Sequence, residues 1–591
     1  MKEQIFQKVI LGLILAVILA KFIHIEADPW TLKSTADIHD EAWWAENAKL
    51  KNLENKWVKD DMAGGLAISP ISNIIYYGSF KLFGISFFSL RIFSVLASIF
   101  NIILYYFLSK RYLLTQKEAL TSTLLFASLP SYFILGRLGT LETGLISFLL
   151  LSILLVLQNK MWSIILAGIT LALGLQLKGS FVLLVPLVMV LIFTKNKTSN
   201  KKEILILSIS AAVVSALFYS FYYSPNNVLF QPYYTAFSNE FYSMRELFHP
   251  AGIVIRLGYL FSKETITDPF IFILMVLFIY RIVFYKFNKE LNKLLLALFI
   301  GFVFTLFSDF NDKRLILLCI GFPIFITGNL NAEGNLSIAK LRYVAIFCSF
   351  SLFNLLPEIR LMNWQEPYLV GISIDSVIIF TLLQVLVFAL LIQLEKQSRL
   401  NRIASFSYAF LLTYFLSKAF SIILINQFDL RAESFYLFTV AFLSITLIYY
   451  LIFKNRLNYN YLISIIISFQ LIYLSIQLSA DTFEIRNLNL FFAQVGKDKE
   501  RIIGPNSIFE IAFLSKKHPV YFSKEGKLSS GVSKADIIWF GAITNSEYSE
   551  HDLEKDLSKA EKNLKIHFEP YYTVKIYKNK YKALLFKRLI K

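Results

Sequence analysis

The chain has 591 residues, of which 56% are hydrophobic and only 17% charged, and it carries a formal net charge of +18. A mean hydropathy of +0.57 excludes an ordinary soluble enzyme built around one core and points to a polytopic membrane protein. The basic residues are scattered among short loops, and no nucleic-acid motif is present, so the charge reads as membrane topology and not as a stripe for a polyanion.

A spanning helix needs roughly 20 apolar residues to cross about 30 Å of hydrocarbon. Segments that satisfy this lie at 4–24, 88–108, 119–136, 140–158, 161–177, 180–194, 203–223, 269–287, 292–308, 314–330, 341–357, 373–394, 404–425, 434–453 and 459–479. The expected fold is therefore an all-α polytopic membrane protein of about 13–15 transmembrane helices. The first segment, "MKEQIFQKVILGLILAVILAKF", precedes no small-residue cleavage site and reads as a retained helix. The two cysteines, Cys319 and Cys348, fall inside apolar stretches and suggest buried thiols.

Lys2 and Lys8 place the start of the first segment in the cytoplasm, and basic clusters such as "SKRYLLTQK", "TKNKTSNKK" and "YKFNKELNK" then recur in every second connection. That alternation puts the loops at 25–87, 225–268, 309–313, 358–372 and 426–433 outside, together with everything after residue 480. From about Ala480 the composition turns polar. Short β-rich runs, "ADIIWFGAI" and "YTVKIYKNKYKALLF", flank a charged helix-period stretch, "EHDLEKDLSKAEKNLKIHF". The expected organisation is a membrane domain over 1–479 and a small extracytoplasmic α/β domain over 480–591.

The ionisable residues on the outer side are few. In the first loop, "TADIHDEAWWAENAKL" sets Asp40 and Glu41 directly before Trp43 and Trp44. Asp40 suits the N-cap of a short interfacial helix, with Glu41 favoured by the positive helix end and the tryptophans at headgroup level. The same carboxylate in a partly desolvated cleft suits a general base. "GRLGTLETGLISF" brings Arg137 and Glu142 to the outer end of a span, where a structural ion pair between them is the simpler reading. Lys178, in "GLQLKGSF", fits either a snorkelling lysine or a phosphate partner, and Arg91 and Arg314 complete a set of three cations suited to a phosphate-bearing lipid. There is no Walker-type loop, no zinc spacing and no GxSxG elbow.

The order of the first span, "DIHDEAWWAENAKL" and "SPISNIIYYGSFKLFGISFFSLRIFSVLASIFNIILYYFLSKRYL" resembles the polyprenyl-phosphate-sugar glycosyltransferases of the GT-C class, which include the protein O-mannosyltransferases and the lipid A aminoarabinose transferases. The similarity runs through "ALTSTLLFASLPSYFILGRLGTLETGLISFLLLSIL" and "AGITLALGLQLKGSFVLLVPLVMVLIF", about residues 1–195, with a weaker match in "FSDFNDKRLILLCIGFPIFI". The resemblance implies that Asp40 is the catalytic base and Glu41 the acid that follows it. It makes Glu142 a second acid that orders the acceptor or a metal. It makes Arg91, Lys178 and Arg314 partners of the donor phosphate. Trp43 and Trp44 would anchor the loop or stack on sugar or acceptor. No cofactor is implied beyond a divalent cation held by Glu41 and Glu142. One departure stands out: where relatives carry a basic residue before paired prolines and then "LYYW", this chain has "SPISNIIYY", with Ser69, Pro70 and Ser72.

The expected activity is transfer of a sugar, with inversion, from a polyprenyl-phosphate carrier to a protein, lipid A or envelope glycan at the outer face of the plasma (inner) membrane. The alternative is a transporter or flippase of lipid-linked glycans, whose outer charges would line a path instead of a reaction centre. Transporters usually show repeat-related halves with broken midplane helices, and the two halves here look unlike.

Overall fold

The computed structural model describes residues 2–28, 40–55, 57, 69–158, 160–195, 200–226, 269–284, 287–305, 311–328, 459–479, 483–495, 500–504, 511–516, 518–521, 537–544, 550–576 and 581–589. The expected spans at 341–357, 373–394, 404–425 and 434–453 lie outside them. The chain forms two compact units. One comprises Met1–Val17, Tyr105–Tyr132 and Phe241–Leu474; the other comprises Ile18–Leu104, Phe133–Glu240 and Ser475–Lys591.

The helices of the first half are α1 (Lys2–Ala20), α2 (Asp40–Glu54), α3 (Pro70–Phe83), α4 (Phe87–Tyr112), α5 (Gln116–Ala127), α6 (Pro130–Leu135), α7 (Glu142–Leu157), α8 (Met161–Leu177), α9 (Val185–Lys195) and α10 (Asn200–Phe218). A 3-10 segment, Gly179–Leu184, joins α8 to α9, and a π turn, Tyr219–Tyr223, prolongs α10. Among the described residues, Phe87–Tyr112 and Asn200–Tyr223 are long and apolar enough to cross a membrane, and shorter apolar helices accompany them. On α10, Leu205, Ile209, Val213 and Leu217 form an i, i+4 stripe in which every side chain is more than half exposed. Leu11, Leu15 and Leu19 do the same on α1.

Two of these elements differ from expectation. The span expected at 119–136 is two helices, because Pro130 has no N–H to continue the ladder and sits well only as the first residue of a new helix. The α5 start is fixed by a capping box, in which Thr115 Oγ1 accepts from Glu118 N–H and the Glu118 carboxylate accepts from Thr115 N–H at 3.1 Å. Helix α3 falls where only loop was expected. It opens on Pro70 and is held by buried Tyr76 and Phe80, while polar Ser72, Asn73 and Ser79 hide its amphipathic pattern.

The first unit also contains α11 (Pro269–Phe284), α12 (Lys289–Thr305), α13 (Asn311–Thr327) and most of α14 (Tyr459–Ser479). Arg281 of α11 is buried and donates to the carbonyl of Gly328 just past the end of α13, meeting a carbonyl the helix itself leaves unpaired. Tyr105 donates to the Ile320 carbonyl at 2.9 Å, and Ser128 donates to Gln470 at 2.8 Å. Cys319 is a buried free thiol.

The second unit ends in α15 (Glu484–Gln494) and a five-stranded sheet of β1 (Arg501–Gly504), β2 (His518–Tyr521), β3 (Ile537–Thr544), β4 (Phe568–Ile576) and β5 (Tyr581–Arg588), with α16 (Glu550–Leu564) between β3 and β4. The strand order is β2-β1-β3-β5-β4; β1 is parallel to β2 and β3, and β5 is antiparallel to β3 and β4. Leu553, Leu557, Ala560 and Leu564 make the apolar stripe of α16 and pack on Phe540, Ala542, Phe568 and Phe586. Trp539 points to the other face, where it meets Phe492 of α15 edge-on at 5.4 Å.

Candidate active site

Helix α2 begins at Asp40, one residue earlier than a capping role for Asp40 would place it. The Asp40 side chain lies outside the described residues, as do Asp37 and His39. Glu41, next along, is buried and grips Arg91 of α4 bidentately. Arg91 Nε donates to Oε1 at 2.9 Å and Nη2 to Oε2 at 2.7 Å. The guanidinium is 2% exposed and also donates, through Nη1, to the carbonyls of Ile25 and Ala27. A buried ion pair of this kind stands only when its remaining donors and acceptors are met, and here they are. Gly139 completes it: its N–H donates to Glu41 Oε1 and its carbonyl accepts from the Tyr76 hydroxyl at 2.7 Å. A Cβ at Gly139 would lie 2.7 Å from Leu90 Cγ and 3.2 Å from Glu41 Oε1, so the close approach needs glycine.

The second ion pair joins Lys178 to Glu142. Lys178 Nζ lies 2.7 Å from Glu142 Oε1, with the side chains 14% and 8% exposed. Lys178 ends α8, Glu142 opens α7, and the ammonium stands 5.3 Å from the ring centroid of Trp44. Trp43 meets Trp44 edge-on at 4.6 Å. The expected partnership of Arg137 with Glu142 is therefore replaced: Arg137 donates to the carbonyls of Ile23 and His24 at 2.7 and 3.0 Å, and Glu142 takes Lys178. Ser69 is buried and donates to the carbonyl of Leu177, the residue before Lys178.

Tyr76 was not singled out in the sequence, although it stands in "IIYY", the stretch that departs from the family pattern. It is fully buried, and burial followed by the charges of Glu41 and Glu142 raises its pKa well above the ordinary tyrosine value. Its phenol therefore stays protonated as a donor, with both carboxylates close by. Arg314 lies on α13, with its side chain outside the described residues. Among the described residues no three His, Cys, Asp or Glu side chains gather as metal ligands. Glu41 is taken by Arg91 and Gly139, and Glu142 gives Oε1 to Lys178.

The site is thus two acid–base pairs gathered from α2, α4, the start of α7 and the end of α8, with the Tyr76 hydroxyl bonded to Gly139, which also binds Glu41. Residues 68–222, which hold Arg91, Glu142 and Lys178, match the family model described as dolichyl-phosphate-mannose-protein mannosyltransferase. The architecture is similar to that of ArnT from Cupriavidus metallidurans. The structure bound to undecaprenyl phosphate aligns at a TM-score of 0.55 and 10% identity over 98% of this chain and 97% of that one. The apo structure aligns at 0.53 and 10% over 99% and 98%. No match is found among curated protein sequences. The resemblance to GT-C class polyprenyl-phosphate-sugar transferases, drawn from the first loop and early spans, is thus met by a family model over α3–α10 and by a shared fold over nearly the whole chain.

Proposed function

We propose that this chain is an integral-membrane glycosyltransferase that moves a sugar from a polyprenyl-phosphate carrier to an acceptor at the outer membrane face. The observation that carries the reading is the Lys178–Glu142 pair set against Trp44, one helical turn from the head of α2 where Asp40 stands. The ArnT structure that shares this fold was bound to undecaprenyl phosphate, and a lipid-borne donor needs no Gly-rich nucleotide cradle. The outward apolar stripes on α1 and α10 suit lipid, since so much exposed aliphatic surface in water would be unfavourable.

In this reading the bond between the anomeric carbon and the phosphate oxygen breaks with its electron pair leaving on the lipid phosphate. The acceptor attacks the opposite face, and its proton passes to Asp40. Lys178 is the cation placed to meet the departing phosphate, because its pair is the more open of the two. Arg91 acts on Glu41. Trp43 and Trp44 bound the sugar side. The membrane portion is residues 1–479, with the reaction in the loop at 25–87, and residues 480–591 form a domain outside the membrane.

The test is transfer from labelled polyprenyl-phosphate sugars in membranes with and without the protein, read by mass spectrometry of glycolipids and glycoproteins. New glycoconjugate together with released polyprenyl phosphate is the expected result. Labelled donor that changes leaflet with its sugar still attached would instead establish a transporter. Lys178→Ala should raise the donor KM by about 10- to 100-fold, the worth of a charged hydrogen bond, and Lys178→Arg should restore part of it. Steady-state kinetics against donor concentration checks both.

A further inference from the structure

The segment that receives Arg91 is also held from the far end of the sequence. Helix α15 has Phe483 at its N-cap, and Phe483 has no side-chain oxygen to meet the first free N–H groups. Asp28 supplies one instead: its Oδ2 accepts from Ile485 N–H at 2.8 Å, and Asp28 is 2% exposed. The neighbours repeat the grip. Glu26 lies 3.2 Å from Arg486, and the His24 ring meets Phe483 edge-on at 5.9 Å.

Residues 24, 26 and 28 thus give side chains to α15, while 25 and 27 give carbonyls to Arg91. The turn at 511–516 is bonded to α15 through Asn489, which accepts from Leu514 N–H at 3.0 Å. It also receives the fully buried Lys49 of α2 at the Ala512 carbonyl, 3.0 Å away.

We infer that Asp28 is a positioning residue: by capping α15 it ties the C-terminal segment to the strip of backbone that fixes Arg91, and through Arg91 and Glu41 it sets the head of α2. The inference rests on the transferase reading, but its physical half does not need it. Asp28 is faced by Arg91 of α4, Glu41 of α2 and Glu484 of α15, and burial pushes its carboxyl up to about 7. A carboxyl raised in the closed state binds its proton more tightly there than when solvated. Closure is therefore favoured at low pH and weakens as pH rises from about 4 to about 7.

Asp28→Ala and Asp28→Asn in the full chain test this, by hydrogen exchange and by donor kinetics. In Asp28→Ala, exchange should rise in both 484–494 and 136–142, and kcat should fall about tenfold, the scale of a small misplacement, with donor KM unchanged. Asp28→Asn keeps an acceptor oxygen and should stay close to the parent. In the parent, the ratio of closed to open α15 should fall by up to about tenfold per pH unit between about 4 and 7, and in Asp28→Asn that slope should vanish. Faster exchange confined to 484–494 with kcat unmoved would overturn the inference, and so would an Asn variant as impaired as the Ala variant. Should the parent show no transfer at all, the transferase reading fails, and exchange at 136–142 still decides the role of Asp28.

Discussion

Asp40→Asn should lose sugar transfer by about 10²–10⁴-fold while donor binding persists, because the change keeps the size of the side chain and removes only its basicity. The residue opens α2, and the helix behind it is held by Glu41, Lys49 and Trp44, all buried. Membranes carrying the variant and supplied with labelled donor give the measurement. Retained transfer at the parental rate would remove Asp40 from the reaction, and loss of donor binding alongside transfer would assign it to the donor instead.

The second large effect concerns Arg91 and Glu41. Arg91→Ala strips the partner from a carboxylate that is 4% exposed, and breaking a buried pair from one side costs about 3–5 kcal/mol. Glu41→Ala should cost a similar amount, and the double variant clearly less than the two together, since neither charge is then left alone. Thermal unfolding of the purified proteins measures the cycle. A phosphate-binding Arg91 would behave otherwise: the donor KM would climb, the unfolding temperature would hold, and the two substitutions would add.

Much of this was legible in the sequence where one physical rule acts alone. The apolar runs gave most helices of the first half, and the mixed i, i+3 and i, i+4 spacing of Leu553, Leu557, Ala560 and Leu564 announced α16. The runs at 535–543 and 572–586 became β3 and the β4–β5 hairpin. What failed did so where tertiary contacts decide. Proximity in sequence pairs Glu142 with its neighbour Arg137, yet the structure brings it Lys178 from the end of α8, 36 residues on. Helix α3 was hidden because serines and Asn73 occupy buried positions and bond to backbone carbonyls instead of facing water. Ser69, which looked like a missing charge, turns out to be a link to the residue before Lys178. No single-sequence pattern could have shown the Tyr76 hydroxyl bonded to Gly139, 63 residues on, and within the field of two carboxylates from other elements.

The bond from Ile485 to Asp28 joins residues 457 apart, and that separation fixes a timetable. At 5–20 residues per second, a ribosome takes roughly 20–90 s to make the intervening chain. Once Arg91 has been made, early in that interval, α2 has its brace within reach but still lacks the cap and the Lys49 acceptor, which are among the later parts to be synthesised. A nascent chain therefore carries its early helices for most of that time without the cap, and the junction at Asp28 closes only when Ile485 has emerged and folded back.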